Sequence, residues 1–149
     1  MELKLLEMDH ETADFQLDYS VISSWWTARR LDPVPIEALP PLGAVMFGDR
    51  GTYRAAGWMY FDRPFTLADG REICSGVCFF HHFVSNPQNT AAETRKFGHV
   101  LMEYLFSEAR EMGYSQVITI TDSGVMAGEA ESIGFTINPH PMIQLAKAI

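Results

Sequence analysis

Apolar and polar positions change period several times along the chain, and each change marks an element. Glu2 to Met8 (ELKLLEM) is a short apolar run that reads as a first strand, ended by the polar Asp9-His10-Glu11-Thr12. From Ala13 the period becomes helical. Val21, Ile22, Trp25, Trp26 and Ala28 recur at three- and four-residue spacing up to Arg29-Arg30, basic residues that suit a helix carboxyl end. Pro33, Pro35, Pro40 and Pro41 then forbid a long helix, so Leu31 to Pro41 is expected to be a loop with one short turn around Ile36 to Ala38. Leu42 to Phe47 and Thr52 to Phe61 are strand-like runs on either side of Gly48-Asp49-Arg50-Gly51, a hairpin signal. A further turn falls at Ala68-Asp69-Gly70-Arg71. Glu72 to Val84 follows as the longest apolar strand candidate, expected at the centre of a sheet.

The carboxyl half alternates helix and strand. Thr90-Ala91-Ala92-Glu93 matches a capping box that would start a helix at about Ala91. Phe97, Leu101, Tyr104, Leu105 and Met112 keep the helical period, and Gly113 closes it. Gln116 to Thr121 reads as a strand, Ser123 to Ile133 as a shorter helix ended by Gly134, and Phe135 to Ile137 and Met142 to Ala146 as two last strands. Strands alternating with helices predict an α/β fold, with a mixed sheet covered by helices on both faces. With no internal repeat, low-complexity tract or linker, residues 1–149 read as a single domain, long enough to bury about 70% of the unfolded surface.

Composition narrows the function classes. Hydrophobic residues make up 47% and charged residues 20%, an ordinary globular balance. The formal net charge of −8 argues against nucleic acid as a partner and suits a cationic or neutral substrate. No apolar run reaches the ~18 residues of a membrane span, and MELKLLEMDHE carries no signal-peptide pattern, which points to the cytoplasm. Cys74 and Cys78 are four residues apart in a strand candidate, about 13 Å at strand rise and beyond the ~7 Å reach of a disulfide. No zinc pattern is present, and no metal is expected.

The helix–strand–helix–GF ending of this element order resembles the GNAT (Gcn5-related N-acetyltransferase) superfamily over nearly the whole chain. Leu101 to Gly113 (LMEYLFSEAREMG) is similar to the helix of that family's acetyl-CoA motif, and Ser123 to Phe135 (SGVMAGEAESIGF) to its closing helix and GF strand. Ser24 to Arg30 (SWWTARR), LPPLGAVM and Ala55 to Tyr60 also look like a GNAT-like group encoded by tailed bacteriophages, whose proteins would work in the host cytoplasm. The resemblance implies a mostly antiparallel central sheet of about six to seven strands, with acetyl-CoA as co-substrate. It implies an amine acceptor, on a small molecule or a protein, and leaves room for a homodimer.

Site residues follow from the same resemblance. Amides of the central strand at Phe83, Val84 and Ser85 would hold the thioester arm. The loop and first helical turn at Arg95, Lys96, Phe97, Gly98 and His99 would hold the pyrophosphate, where the family has Gln/Arg-x-x-Gly-x-Gly/Ala. Two registers compete. Arg95 and Gly98 fit the literal pattern but leave Val100 at the last small position. Counting back from Gly113 puts Gly98 at that position and leaves Glu93 and Lys96 at signature positions. The capping box offers an alternative for the same residues, a plain capped helix whose amides are already committed. His81 is the candidate base, three residues before Val84, because histidine titrates in the useful range; strand alternation puts His82 on the opposite face. The family's acidic Tyr falls at Ala130, so Ser123, with Asp122, is the candidate proton relay and a contact for the pantetheine arm. Trp25, Trp26 and Trp58 are candidates for lining the acceptor pocket, against a role in the core. Two functions stay open: an acyl-CoA-dependent N-acyltransferase, and a catalytically silent interaction or virion-associated protein on the same fold.

Overall fold

The computed structural model describes residues 1–62, 65–73, 76–121 and 123–137. The chain forms two compact units, Met1–Thr119 and Ile120–Ile149. The first holds a five-stranded sheet in the order β1-β2-β3-β6-β7 and a separate two-stranded ribbon, β4-β5. Its strands are β1 (Glu2–Leu5), β2 (Leu42–Phe47), β3 (Tyr53–Phe61), β4 (Phe65–Thr66), β5 (Glu72–Ile73), β6 (Val77–Ser85) and β7 (Gln116–Ile118), and its helices are α1 (Ala13–Ala28) and α2 (Ala91–Glu111). The second unit contains α3 (Gly124–Ser132). Strands β1, β2, β3 and β6 pair antiparallel, while β6 and β7 run parallel across the α2 connection. The sheet is therefore mixed and mostly antiparallel, as expected, but has five strands among the described residues where about six to seven were expected.

Each face of this sheet is covered by a helix whose apolar stripe was visible in the sequence. Phe97, Leu101, Leu105 and Ala109 of α2 pack on Ala44, Met46, Ala55, Met59, Cys78 and Phe80. Phe15, Ile22, Trp25 and Trp26 of α1 pack on Val45, Ala56, Trp58 and Val84. Leu101 and Leu105 are fully buried, each contributing about 1.5–3 kcal/mol of transfer free energy. Trp58 lies so close to the β2 backbone that a Cβ on Gly43 would come within 2.3 Å of its indole nitrogen.

Helix α1 starts where Thr12 accepts a hydrogen bond from the Phe15 amide at 3.1 Å. It carries a buried carboxylate, Asp18, that no apolar pattern announces. The Tyr53 hydroxyl donates to Asp18 at 2.7 Å, and the Lys4 ammonium lies 2.8 Å from both Asp18 and Asp14. These contacts tie β1, α1 and β3 together. Burial alone would lower the Lys4 pKa, but the two carboxylates outweigh it and raise it; burial and the Asp18 bond push Tyr53 up to about 12.

Three predicted boundaries move. The long strand expected over Glu72 to Val84 is interrupted, because Gly76 takes a left-handed φ of 70° and separates β5 from β6. Strand β7 stops at Ile118 rather than Thr121. Phe135 to Ile137 is not a strand, and the strand expected over Met142 to Ala146 lies outside the described residues, as does Cys74.

Candidate active site

The functional geometry begins with one extra residue in β6. Its ladder with β3 pairs Trp58 with His82 and Met59 with Phe80, so His81 is left without a partner strand residue, a β-bulge. Strand alternation would have put His81 and His82 on opposite faces. The bulge cancels that alternation and brings the two rings together, with centroids 4.5 Å apart and Nδ1 atoms 3.4 Å apart. Beyond the bulge the strand's facing is switched: Cys78 and Phe80 pack toward α2, whereas Val84 packs toward α1.

Tyr60 of β3 completes the cluster. Its ring stands edge-on to both histidines, at centroid distances of 5.5 Å and 5.8 Å. Its hydroxyl reaches the Ala38 carbonyl at 2.6 Å and His82 Nε2 at 3.2 Å. His82 is half-buried, and burial, then the neighbouring His81, lowers its pKa. His81 is exposed, and among the described residues its Nε2 takes no hydrogen bond. Beside Tyr60 opens a cleft of about 550 Å³, walled by Glu37, Pro40, Tyr60, Phe61 and Tyr114. Phe61 and Tyr114 stack at 4.6 Å along it. Composition and periodicity had not singled out Tyr60 or Glu37. The one sequence signal for Tyr60 is its place two residues after Trp58, on the same face of β3.

The β6–β7 edge is open in a way that suits an extended arm. The two strands pair only along Val77 to Phe79, and Thr119 adds a side-chain bond to the Phe80 carbonyl at 3.0 Å. Past that point, β6 runs on to Ser85 without a ladder partner on the β7 side among the described residues. An amide-bearing chain such as pantetheine fits an unpaired strand edge, since it supplies the donors and acceptors the edge lacks. Of the residues assigned to the arm, Val84 and Ser85 are buried, and the Ser85 hydroxyl accepts from Arg29 at 3.1 Å. Phe83 is half-buried and lies against Gly98, where a Cβ would meet its ring at 3.1 Å.

The pyrophosphate end does not fit the expected cradle. Thr90 accepts from the Glu93 amide at 3.2 Å while Glu93 accepts from the Thr90 amide at 2.8 Å, so the capping box forms and α2 begins at Ala91. Arg95, Lys96, Phe97, Gly98 and His99 are therefore inside the helix, their amides committed to its own ladder. Phe97 and Gly98 are buried, and His99 is half-buried on the third turn rather than the first. Arg95 and Lys96 alone keep exposed side chains. The preceding turn is also spoken for: Asn86 and Asn89 donate to the Tyr53 and Arg54 carbonyls at 2.9 Å, and Arg54 donates back to Asn89 while lying over the Phe97 ring. The Thr90 amide and hydroxyl hold the Glu93 carboxyl below its usual range, so it is charged where a phosphate would arrive. Glu93→Gln is expected to tighten acetyl-CoA binding severalfold without loss of helix, because Gln also serves a capping box. Calorimetric affinities of the two proteins check this; equal or weaker binding by the variant would count against it.

Trp25, Trp26 and Trp58 do not line a pocket. All three are buried in the α1-side core, where Trp26 and Trp58 stack at 5.9 Å. Ser123, in the second unit, caps α3 by accepting from the Met126 amide at 3.3 Å, and Asp122 lies outside the described residues. Among the described residues no group of side chains could hold a metal ion, and no helix is long and apolar enough to cross a membrane.

No protein-family model and no curated protein sequence matches the chain. Solved structures match it over its full length. An acetyltransferase from Trypanosoma brucei is 17% identical with a TM-score of 0.61, covering 97% of this chain and 99% of its own. The aminoglycoside N-acetyltransferase AAC(6′)-Iy in complex with CoA is 10% identical with a TM-score of 0.61, covering 99% and 100%. The aminoglycoside 6′-N-acetyltransferase AAC(6′)-IG from Acinetobacter haemolyticus is 14% identical with a TM-score of 0.60, covering 100% and 99%. At these identities the likeness is one of fold.

Proposed function

We propose, for a chain whose fold is that of the GNAT acetyltransferases, that it is an acyl-CoA-dependent N-acyltransferase. It would move an acetyl group from acetyl-CoA to a primary amine of a small molecule or protein. The observation that carries this reading is the bulge at His81, which sets a histidine whose Nε2 takes no hydrogen bond among the described residues beside an unpaired strand edge. The solved neighbours span 97–100% of the chain, which supports reading residues 1–149 as one acyltransferase domain.

Bound acetyl-CoA would supply an activated acyl thioester whose C–S bond breaks as the acceptor's N–C bond forms. His81 Nε2 takes the proton that the attacking nitrogen must lose, and bulk water protonates the departing thiolate, since Ala130 stands where the family has its acidic Tyr. The unpaired edge of β6 orients the arm, and much of the rate comes from that positioning. The cleft at Glu37, Tyr60 and Tyr114 is the acceptor pocket in this reading. Its carboxylate and aromatic rings favour a cationic amine.

The capping box favours a second reading, in which the fold serves as a non-catalytic interaction module. Incubation with acetyl-CoA and a panel of amines (a polyamine, an aminoglycoside and a lysine peptide), read by mass spectrometry, separates the two. A product 42 Da heavier on one amine class, the mass of an acetyl group replacing a proton, supports the enzyme. CoA release no faster than hydrolysis without protein, across the whole panel, would remove it.

A further inference from the structure

The hydrogen bonds around Tyr60 leave little freedom in where the histidine protons sit. Tyr60 has one hydroxyl proton and two neighbours, the Ala38 carbonyl at 2.6 Å and His82 Nε2 at 3.2 Å. The shorter contact takes that proton, because a carbonyl oxygen can only accept. His82 Nε2 must then carry its own proton and donate it to the Tyr60 oxygen. A neutral imidazole has one N–H, so His82 Nδ1 is left with a lone pair. That lone pair faces His81 Nδ1 at 3.4 Å, and two lone pairs would not be held in opposition there. His81 therefore carries its proton on Nδ1 and presents a bare Nε2. The low pKa of His82, set by burial and then by His81, keeps it neutral and able to accept.

We infer that Tyr60 and His82 are positioning residues that fix the tautomer of His81, so that its Nε2 is always the basic nitrogen. The chain of contacts runs from the Ala38 carbonyl through Tyr60 and His82 to His81, linking the loop that walls the cleft to the base. It resembles the way a carboxylate sets the imidazole of a catalytic triad, with a neutral histidine in the carboxylate's place. When His81 gains a proton, its Nδ1–H keeps the same acceptor, so no ring has to turn during turnover. The β-bulge makes this possible, because without it the two rings would lie on opposite faces of β6. This inference deepens the acyltransferase reading and rests on it for its purpose, but the tautomers themselves exist with or without activity.

Long-range ¹H–¹⁵N correlation spectra of the ¹⁵N-histidine-labelled protein test it directly. His82 is expected to show a protonated Nε2 and a bare Nδ1, and His81 the reverse. In Tyr60→Phe, and independently in His82→Gln, His81 should lose its single form and show both tautomers, while circular dichroism and melting confirm an intact fold. A proton on His82 Nδ1 in the unaltered chain, or a His81 tautomer unmoved in a folded variant, would overturn the inference. If the chain transfers acetyl groups, Tyr60→Phe should lower kcat severalfold, by the share of His81 left in the wrong tautomer, with KM for acetyl-CoA unchanged. A chain that shows these tautomers without transfer would retire the acyltransferase reading and leave the relay standing.

Discussion

His81→Ala is expected to slow acetyl transfer by about 10²–10⁴-fold while leaving acetyl-CoA affinity unchanged. The size follows from the role: proton removal by a positioned base is worth that much, and the neighbouring His82, whose Nε2 is held by Tyr60, is half-buried where His81 is exposed. The selectivity follows from geometry. His81 is exposed and pairs with no strand residue, so its ring holds neither the sheet nor the core. Stability should stay within about 0.5 kcal/mol, the usual range for a surface substitution. Steady-state rates, binding calorimetry and urea unfolding measured together would check all three. Full kcat in the variant would remove His81 from the mechanism and leave catalysis to positioning alone.

Asp18→Ala is expected to cost about 3–5 kcal/mol of stability, the range for removing one partner from a buried ion pair. The Asp18 side chain is 1% exposed and accepts from Tyr53 while facing Lys4, so its loss strands the Tyr53 hydroxyl and leaves Lys4 with Asp14 as its remaining carboxylate. Lys4 is 30% exposed and can turn toward water, which places the cost at the lower part of that range. Against a total of about 5–15 kcal/mol for a domain, even this would be a large fraction. The pH dependence carries a sign. Lys4 and Tyr53 both have pKa values raised on folding, so the cluster's contribution is complete below their ordinary values of 10.5 and 10.0. It is lost as pH rises past them. Urea midpoints from pH 8 to 11 should fall at the alkaline end for the native chain and stay flatter for Asp18→Ala. A loss below 1 kcal/mol would mean that the cluster is solvated in the folded protein.

The elements were legible because their periods are strong. The stripes of α1 and α2, the turn at Ile36–Ala38, the β2–β3 hairpin and the Thr90 capping box all follow from residue spacing and turn chemistry. The site was legible only in part. His81 stood out as a candidate from its place on the central strand. Its partnership with His82 was not, because a bulge adds one residue to a ladder and leaves no mark in the apolar pattern. Tyr60 was hidden for a related reason: its partners, Ala38 and His82, are 22 residues away on either side, and only the fold brings them together. The tryptophans misled because large aromatics suit a pocket and a core equally well, and here the sheet's α1 face needed their volume. The pyrophosphate loop turned on local competition. A capping box satisfies helix amides at short range, and its signal in Thr90-Ala91-Ala92-Glu93 outweighed the single glycine, Gly98, on which the expected pyrophosphate loop rested.

An unpaired strand edge and a helix entry that carries a charged Glu93 together predict acetyl-CoA binding weakened at the pyrophosphate end. Titration of acetyl-CoA into the native protein by calorimetry, paired with thermal melting, tests this most directly. Saturable heat is expected and, at about 100 times the dissociation constant, a stabilisation of about 2.7 kcal/mol. No heat and no shift in melting at millimolar acetyl-CoA would contradict it, and would leave the fold as an interaction module.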